Sequence, residues 1–137
     1  MKNTATARYA GHLRTEATHT ASGNVIQTDA PVDNHGRGEA FSPTDLVSTA
    51  LGSCMMTTMG IVAERHAWDL TSATFTVQKH MSAEPPRRIA QIDVTFSMPA
   101  SLAPAERTIL ERAAHTCPVG LSLHPEVRQN IVFEYVK

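Results

Sequence analysis

Along the first thirty residues, strand-favouring side chains recur among polar ones. Thr4, Thr6, Tyr9, Val25, Ile26 and Thr28 predict β structure over residues 1–29, with a hairpin turn at Ser22, Gly23 and Asn24 and a second turn around Gly11. Residues 30–41 (APVDNHGRGEAF) sustain no period and predict a loop. The clearest helix start follows: Ser42 as N-cap, Pro43 at the first helical position, and Asp45 placed to close a capping box. This helix is expected to run to about His66. It carries Leu46, Val47, Ala50, Leu51, Cys54, Met55, Met59, Ile61 and Val62, with no charged side chain from Val47 to Ala63. A helix that is apolar nearly all round is expected to be buried. Gly52 and Gly60 weaken it by about 1 kcal/mol each relative to alanine, which predicts close approach by another helix or strand.

Residues 68–81 read as a strand, with Phe75 and Val77 on one face and Thr74 and Thr76 on the other. Glu84, Pro85 and Pro86 break it. A second strand over 88–98 ends at Pro99. Pro104 opens another helix, which should stop near Thr116 because Pro118 disfavours helical geometry at Cys117. A turn over 119–123 and a strand over 129–136 complete the chain. This order predicts an α+β fold rather than the strict alternation of a doubly wound one.

Composition narrows the picture. At 137 residues the chain is one domain's worth, read as 1–137. Aromatics make up only 5% of it, so the core must rest on aliphatics, alanine and methionine. A formal net charge of −1 gives no basic surface for nucleic acid. No apolar run approaches the roughly 20 residues that span a bilayer, and residues 1–10 lack the apolar stretch of a signal peptide. No membrane association and a reducing, cytoplasmic location are therefore expected. Structural disulfides are rare in such a compartment.

The two cysteines lie sixty-three positions apart, Cys54 inside the long helix and Cys117 where the second helix ends. That spacing is neither a CxxC redox motif nor a zinc pair. The residues alone leave two readings open. Each thiol can be a small buried hydrophobe, or the pair can do redox chemistry. Small neighbours at Gly52 and Ser53 would admit a substrate to Cys54, and Cys117 sits at a break in structure. A reactive thiolate needs a nearby cation, and Arg14, Arg37, Arg65, Arg87 and Arg88 are available.

The stretch Phe41-Ser42-Pro43-Thr44-Asp45-Leu46-Val47-Ser48-Thr49-Ala50-Leu51-Gly52-Ser53-Cys54 resembles the central helix of the OsmC/Ohr superfamily. Cys117-Pro118-Val119 resembles that family's resolving-cysteine turn. Weaker echoes are Gly11-His12-Leu13-Arg14 before a hairpin and Pro86-Arg87-Arg88-Ile89 opening a strand. The resemblance implies an intertwined homodimer with the long helices central, antiparallel β-sheets wrapped around them, and active sites at the subunit interface. It implies a cysteine-based organic hydroperoxide reductase, active in the oxidative stress response. Cys54 would be oxidised to a sulfenic acid and Cys117 would resolve it to a disulfide. An external thiol, a small dithiol or a lipoylated protein, would regenerate the pair. Arg14 best matches the arginine that stabilises the thiolate, with Arg37 second. Well-characterised members carry a glutamate directly after the helix-opening proline to hold that arginine. Here the position is Thr44, which leaves Asp45, Glu39 or neither to orient it, and the sequence looks closer to the OsmC-like branch.

No cofactor is expected. Seven histidines include His115 and His124 near Cys117, but tight zinc spacings are missing, so no metal is expected either. Met55, Met56 and Met59 beside Cys54 are read as core filling, or as an apolar wall for an alkyl hydroperoxide. Two other functions compete with the peroxidase: a dimeric module of the same fold that binds an apolar ligand, and a thiol–disulfide exchange protein.

Overall fold

Turn residues set the first sheet. In the computed structural model, which describes residues 2–136, the chain divides into two compact units that meet between Leu46 and Val47. The first unit holds β1 (Ala5–Gly11), β2 (Arg14–His19) and β3 (Val25–Asp29), an antiparallel sheet in the order β1-β2-β3. Gly23 closes the second hairpin at φ +77°, a conformation in which a side chain would be strained. The resulting register places Arg14 opposite Asp29. The loop that follows holds a single 3-10 turn, Val32–Asn34, where the sequence predicted no element. It folds back through Ala30 N–H to the Leu13 carbonyl at 3.0 Å and Asp29 N–H to the Phe41 carbonyl at 3.1 Å. A Cβ at Gly36 would stand 1.7 Å from the Ala30 carbonyl oxygen, so only glycine fits there.

The helix start is the one predicted. Asp45 N–H donates to Ser42 Oγ at 3.0 Å, and Ser42 N–H donates to Asp45 Oδ2 at 2.9 Å, a reciprocal capping box. From it α1 runs over Pro43–Arg65. It ends at Ala67, held at φ +58°, with Trp68 N–H donating to the Ala63 carbonyl at 2.8 Å and Ala67 N–H to the Glu64 carbonyl at 3.2 Å. These two bonds are the Schellman pair that closes helices.

The second unit is built on one face of α1. Leu51, Met55, Met59 and Ala63 are buried against Ile92, Val94, Phe96 and Met98. Those four are alternate residues of β5 (Ile89–Met98), whose other face is polar. Strand β4 (Thr74–Met81) pairs antiparallel with β5, and β6 (Arg128–Tyr135) pairs parallel with it. Between β5 and β6 lie α2 (Pro104–Ala114) and α3 (Pro118–Ser122). The expectation of antiparallel sheets is corrected here. A parallel neighbour requires a crossover of a dozen or more residues, and the α2–α3 segment supplies one. Two other expectations change. β4 begins at Thr74 rather than Trp68, because the Schellman closure and an Asp69 turn, whose Oδ1 accepts from Thr71 N–H at 2.9 Å, occupy the intervening residues. And α1 is buried on one face only: Val47 and Ile61 stay exposed within the chain. By length and composition alone α1 would also pass for a membrane span, contrary to the sequence reading, although its buried face packs as that of a core helix does.

The two helix glycines differ. A Cβ on Gly52 would fall 2.5 Å from the Phe75 ring of β4, whereas one on Gly60 would meet no atom of its own chain within 4 Å. Close approach therefore accounts for Gly52. Phe75 in turn packs on Phe96, with ring centroids 5.7 Å apart. Gly52→Val is expected to destabilise the fold by about 2 kcal/mol, the usual scale of overpacking, read as a lower urea midpoint at unchanged slope.

Candidate redox site

The fold brings the two cysteines together. Cys54 lies one turn beyond the buried Leu51 on α1, at the edge of the packed face, and is half-buried. Cys117 follows α2, with its N–H donating to the Ala114 carbonyl at 3.3 Å, and is buried. The turn predicted over 119–123 is in fact the short helix α3, opened by Pro118. Cys117 is its N-cap: the sulfur accepts a hydrogen bond from Gly120 N–H at 3.3 Å. Both thiols are free, and their side chains interact directly. Burial pushes the Cys117 thiol above its ordinary pKa; the Gly120 N–H opposes this, and the neighbouring Cys54 adds to it. Cys117 is thus held as a buried neutral thiol beside a more accessible one.

The predicted arginines belong to the N-terminal unit. Arg14 makes a two-pronged ion pair with Asp29, Nε to Oδ1 at 2.7 Å and Nη2 to Oδ2 at 2.8 Å, and a further contact to Glu39 Oε1 at 3.2 Å. Asp29 is fully buried and also accepts from Glu39 N–H at 3.1 Å. Its bond to Arg14, aided by that N–H, holds its carboxyl below the usual range, and the charge of exposed Arg37 contributes from further off. The guanidinium is raised in turn, chiefly by Asp29. Glu39 was an expected partner; Asp45 is occupied in the helix cap. Asp29 is the residue that sequence reasoning missed. Its signal was the hairpin register: counting outward from the turn at residues 20–23, where His19 faces Asn24, Arg14 and Asp29 come opposite each other.

The remaining candidates have other surroundings. His115 is exposed and packs edge-on against Phe133, with centroids 6.2 Å apart, and His124 Nδ1 accepts from Glu126 N–H. Among the described residues no group of three or more His, Cys, Asp or Glu is arranged to hold a metal. Met55 and Met59 are buried core residues. Met56 instead lines a cavity of about 350 Å³ with Trp68 and Leu70, whose wall also carries Glu64, Asp69 and Thr71.

Comparison with known proteins shows the family and the fold. The family model described as OsmC-like protein matches residues 36–132. A protein from Psychrobacter arcticus 273-4, named for osmotic stress induction and a detoxification response, is 43% identical; the match covers 97% of this chain and 96% of that one, with a TM-score of 0.93. The same fold, at 16% identity, is found in an OsmC-like protein from Mycoplasma pneumoniae, where the match covers 100% and 99% of the two chains with a TM-score of 0.81. It recurs in an organic hydroperoxide resistance protein OsmC from Legionella pneumophila, at 19% identity, 96% and 97% coverage and a TM-score of 0.74. No match was found among curated proteins. With a matching family model over most of its length and a 43% identical relative that spans it, the chain belongs to the OsmC-like protein family.

Proposed function

We propose that the chain is a thiol-dependent peroxidase that reduces organic hydroperoxides. The observation that carries this reading is the meeting of two free thiols from distant parts of the sequence, one half-buried and one buried as a neutral thiol. The Cys54 thiolate attacks the distal peroxide oxygen, the O–O bond breaks, and the alkoxide leaves as alcohol after taking a proton. Cys54 is left as a sulfenic acid. The Cys117 thiol then displaces its oxygen as water and forms the disulfide. An external dithiol, small or lipoyl-borne, restores the pair by two exchange steps.

In this reading Arg14, oriented by Asp29 and Glu39, supplies the positive charge that favours the Cys54 thiolate, with Arg37 as a second source. The protein works as a cytoplasmic homodimer. Apolar side chains left exposed on α1 (Val47, Ile61) and on the N-terminal sheet (Tyr9, Val25, Ile26) support a second copy. The hydroperoxide resistance named for the Legionella relative supports the substrate class. The cavity beside Trp68 favours a second reading, a module that holds an apolar ligand. Stopped-flow oxidation of the reduced protein by cumene hydroperoxide, followed by mass spectrometry, separates the two. The peroxidase is expected to lose two mass units rapidly and stoichiometrically through a Cys54–Cys117 disulfide. Oxidation no faster than that of a free thiol would leave the ligand-binding module.

A further inference from the structure

Strand β6 breaks its own pattern at one position. Its inward face runs Gln129, Ile131, Phe133 and Tyr135, in register with Ile92, Val94, Phe96 and Met98 of β5. An amide therefore stands where the pleat calls for an apolar side chain, opposite the fully buried Ile92. A polar group in such a place is costly unless it is hydrogen-bonded. Gln129 Nε2 donates to the Gly120 carbonyl at 3.0 Å.

Gly120 is enclosed by the site itself. A Cβ there would stand 3.2 Å from Gln129 Oε1, 3.3 Å from Cys117 Sγ and 3.5 Å from Leu51 Cδ1. Its own N–H donates to Cys117 Sγ. One residue is thus gripped at its carbonyl by Gln129 and grips the Cys117 sulfur with its amide. It does so against Leu51, three residues before Cys54 and so on the same side of α1.

We propose that Gln129 is a positioning residue for disulfide closure: through Gly120 it fixes where the Cys117 sulfur stands relative to Cys54, and so sets the rate of the resolving step without entering the reaction with peroxide. The inference rests on the peroxidase reading of the thiol pair. In the step concerned, the Cys117 sulfur attacks the Cys54 sulfenic sulfur, the S–S bond forms, the S–O bond breaks, and the departing oxygen leaves as water with the thiol proton. No outside electrons are needed. Attack along that line is sensitive to placement, and a misplacement of about 1 Å can cost on the order of 100-fold in rate.

The test is Gln129→Met, which keeps the length of the side chain and removes its donor. Sulfenic acid is expected to form with cumene hydroperoxide at the wild-type rate, while disulfide closure slows by about tenfold or more. The intermediate then accumulates and is captured as its dimedone adduct. Gly120→Ala, which crowds the same contact, is expected to show the same split and carries the test should Gln129→Met fail to fold. Closure at the wild-type rate in both variants would overturn the proposal. So would equal slowing of both steps together with a lowered Tm, the mark of a purely structural role. If the wild-type protein forms no sulfenic acid, the peroxidase reading fails by itself, and closure is followed instead with diamide. There the Cys54 thiolate adds across the N=N bond, and Cys117 displaces the hydrazine, which carries away the two electrons. Slower closure in Gln129→Met under diamide would sustain the positioning role, and closure insensitive to it would sink that role independently.

Discussion

Cys54→Ser is expected to abolish hydroperoxide turnover, with a loss on the order of 10⁴-fold or more, the scale seen when a covalent nucleophile is removed. Serine fills the same space at the edge of the packed face of α1 but offers a hydroxyl that is scarcely ionised at neutral pH, and the thiolate is the reacting species. Cys117→Ser should behave differently. The first oxidation survives at close to its normal rate, because Cys54 is the more accessible thiol and Cys117 is held neutral by burial. Turnover with a dithiol then falls, and the sulfenic acid proceeds to sulfinic acid under excess peroxide. Single-turnover oxidation monitored by intact mass distinguishes the two variants: no change in Cys54→Ser, and gains of one and then two oxygens in Cys117→Ser. Equal behaviour of the two would mean that the roles of the cysteines are not divided as proposed.

On the proposed reading, in which Arg14 favours the Cys54 thiolate, Asp29→Ala is expected to lower the rate constant with cumene hydroperoxide by up to about 100-fold, the scale of misplacing a positioned group by about 1 Å. It leaves Arg14 to Glu39 alone, a contact at 3.2 Å with a largely exposed carboxylate. Arg14→Lys should lose activity for a related reason, since an ammonium cannot reproduce the two-pronged bond to Asp29. Acid adds a second readout. The Asp29 carboxyl is held below its ordinary value of 3.8, first by Arg14. Its contribution to stability is therefore fully present above that value and is lost as the pH falls through the lowered one. Thermal melts from pH 5 down to pH 2 should show a steeper acid limb in the wild-type protein than in Asp29→Asn. Parallel limbs would remove Asp29 from the account.

What could be read from the sequence was mostly what neighbours in the chain decide among themselves. The Ser42–Asp45 capping box is a three-residue affair, and its hydrogen bonds appear as expected. The same holds for the turn at Gly23 and the helix stop before Cys117. Features that depend on distant partners were not legible in this way. The pairing of Arg14 with Asp29 requires the β2–β3 register, and the direction of β6 depends on how the α2–α3 crossover seats it. Helix α3 is only five residues long and is capped by a thiol rather than a hydroxyl, so neither its period nor its cap announced it. Trp68 and Leu70 look like strand residues, yet the left-handed Ala67 and the Asp69 turn bend the chain there. The meeting of Cys54 with Cys117 was reached through family resemblance, since neither spacing nor period brings two such positions together.

Strand β6, which anchors Gly120, follows both cysteines in the order of synthesis. Cys54 is translated sixty-three residues ahead of Cys117, an interval of roughly 3 to 13 seconds at ordinary elongation rates. On the peroxidase reading, a nascent chain in that interval carries Cys54 with no second thiol to rescue it, and a sulfenic acid formed then has only cellular thiols to meet. Damage during synthesis under oxidant stress is thus concentrated, on the same reading, on chains that have not yet reached Cys117 and the strand that anchors Gly120.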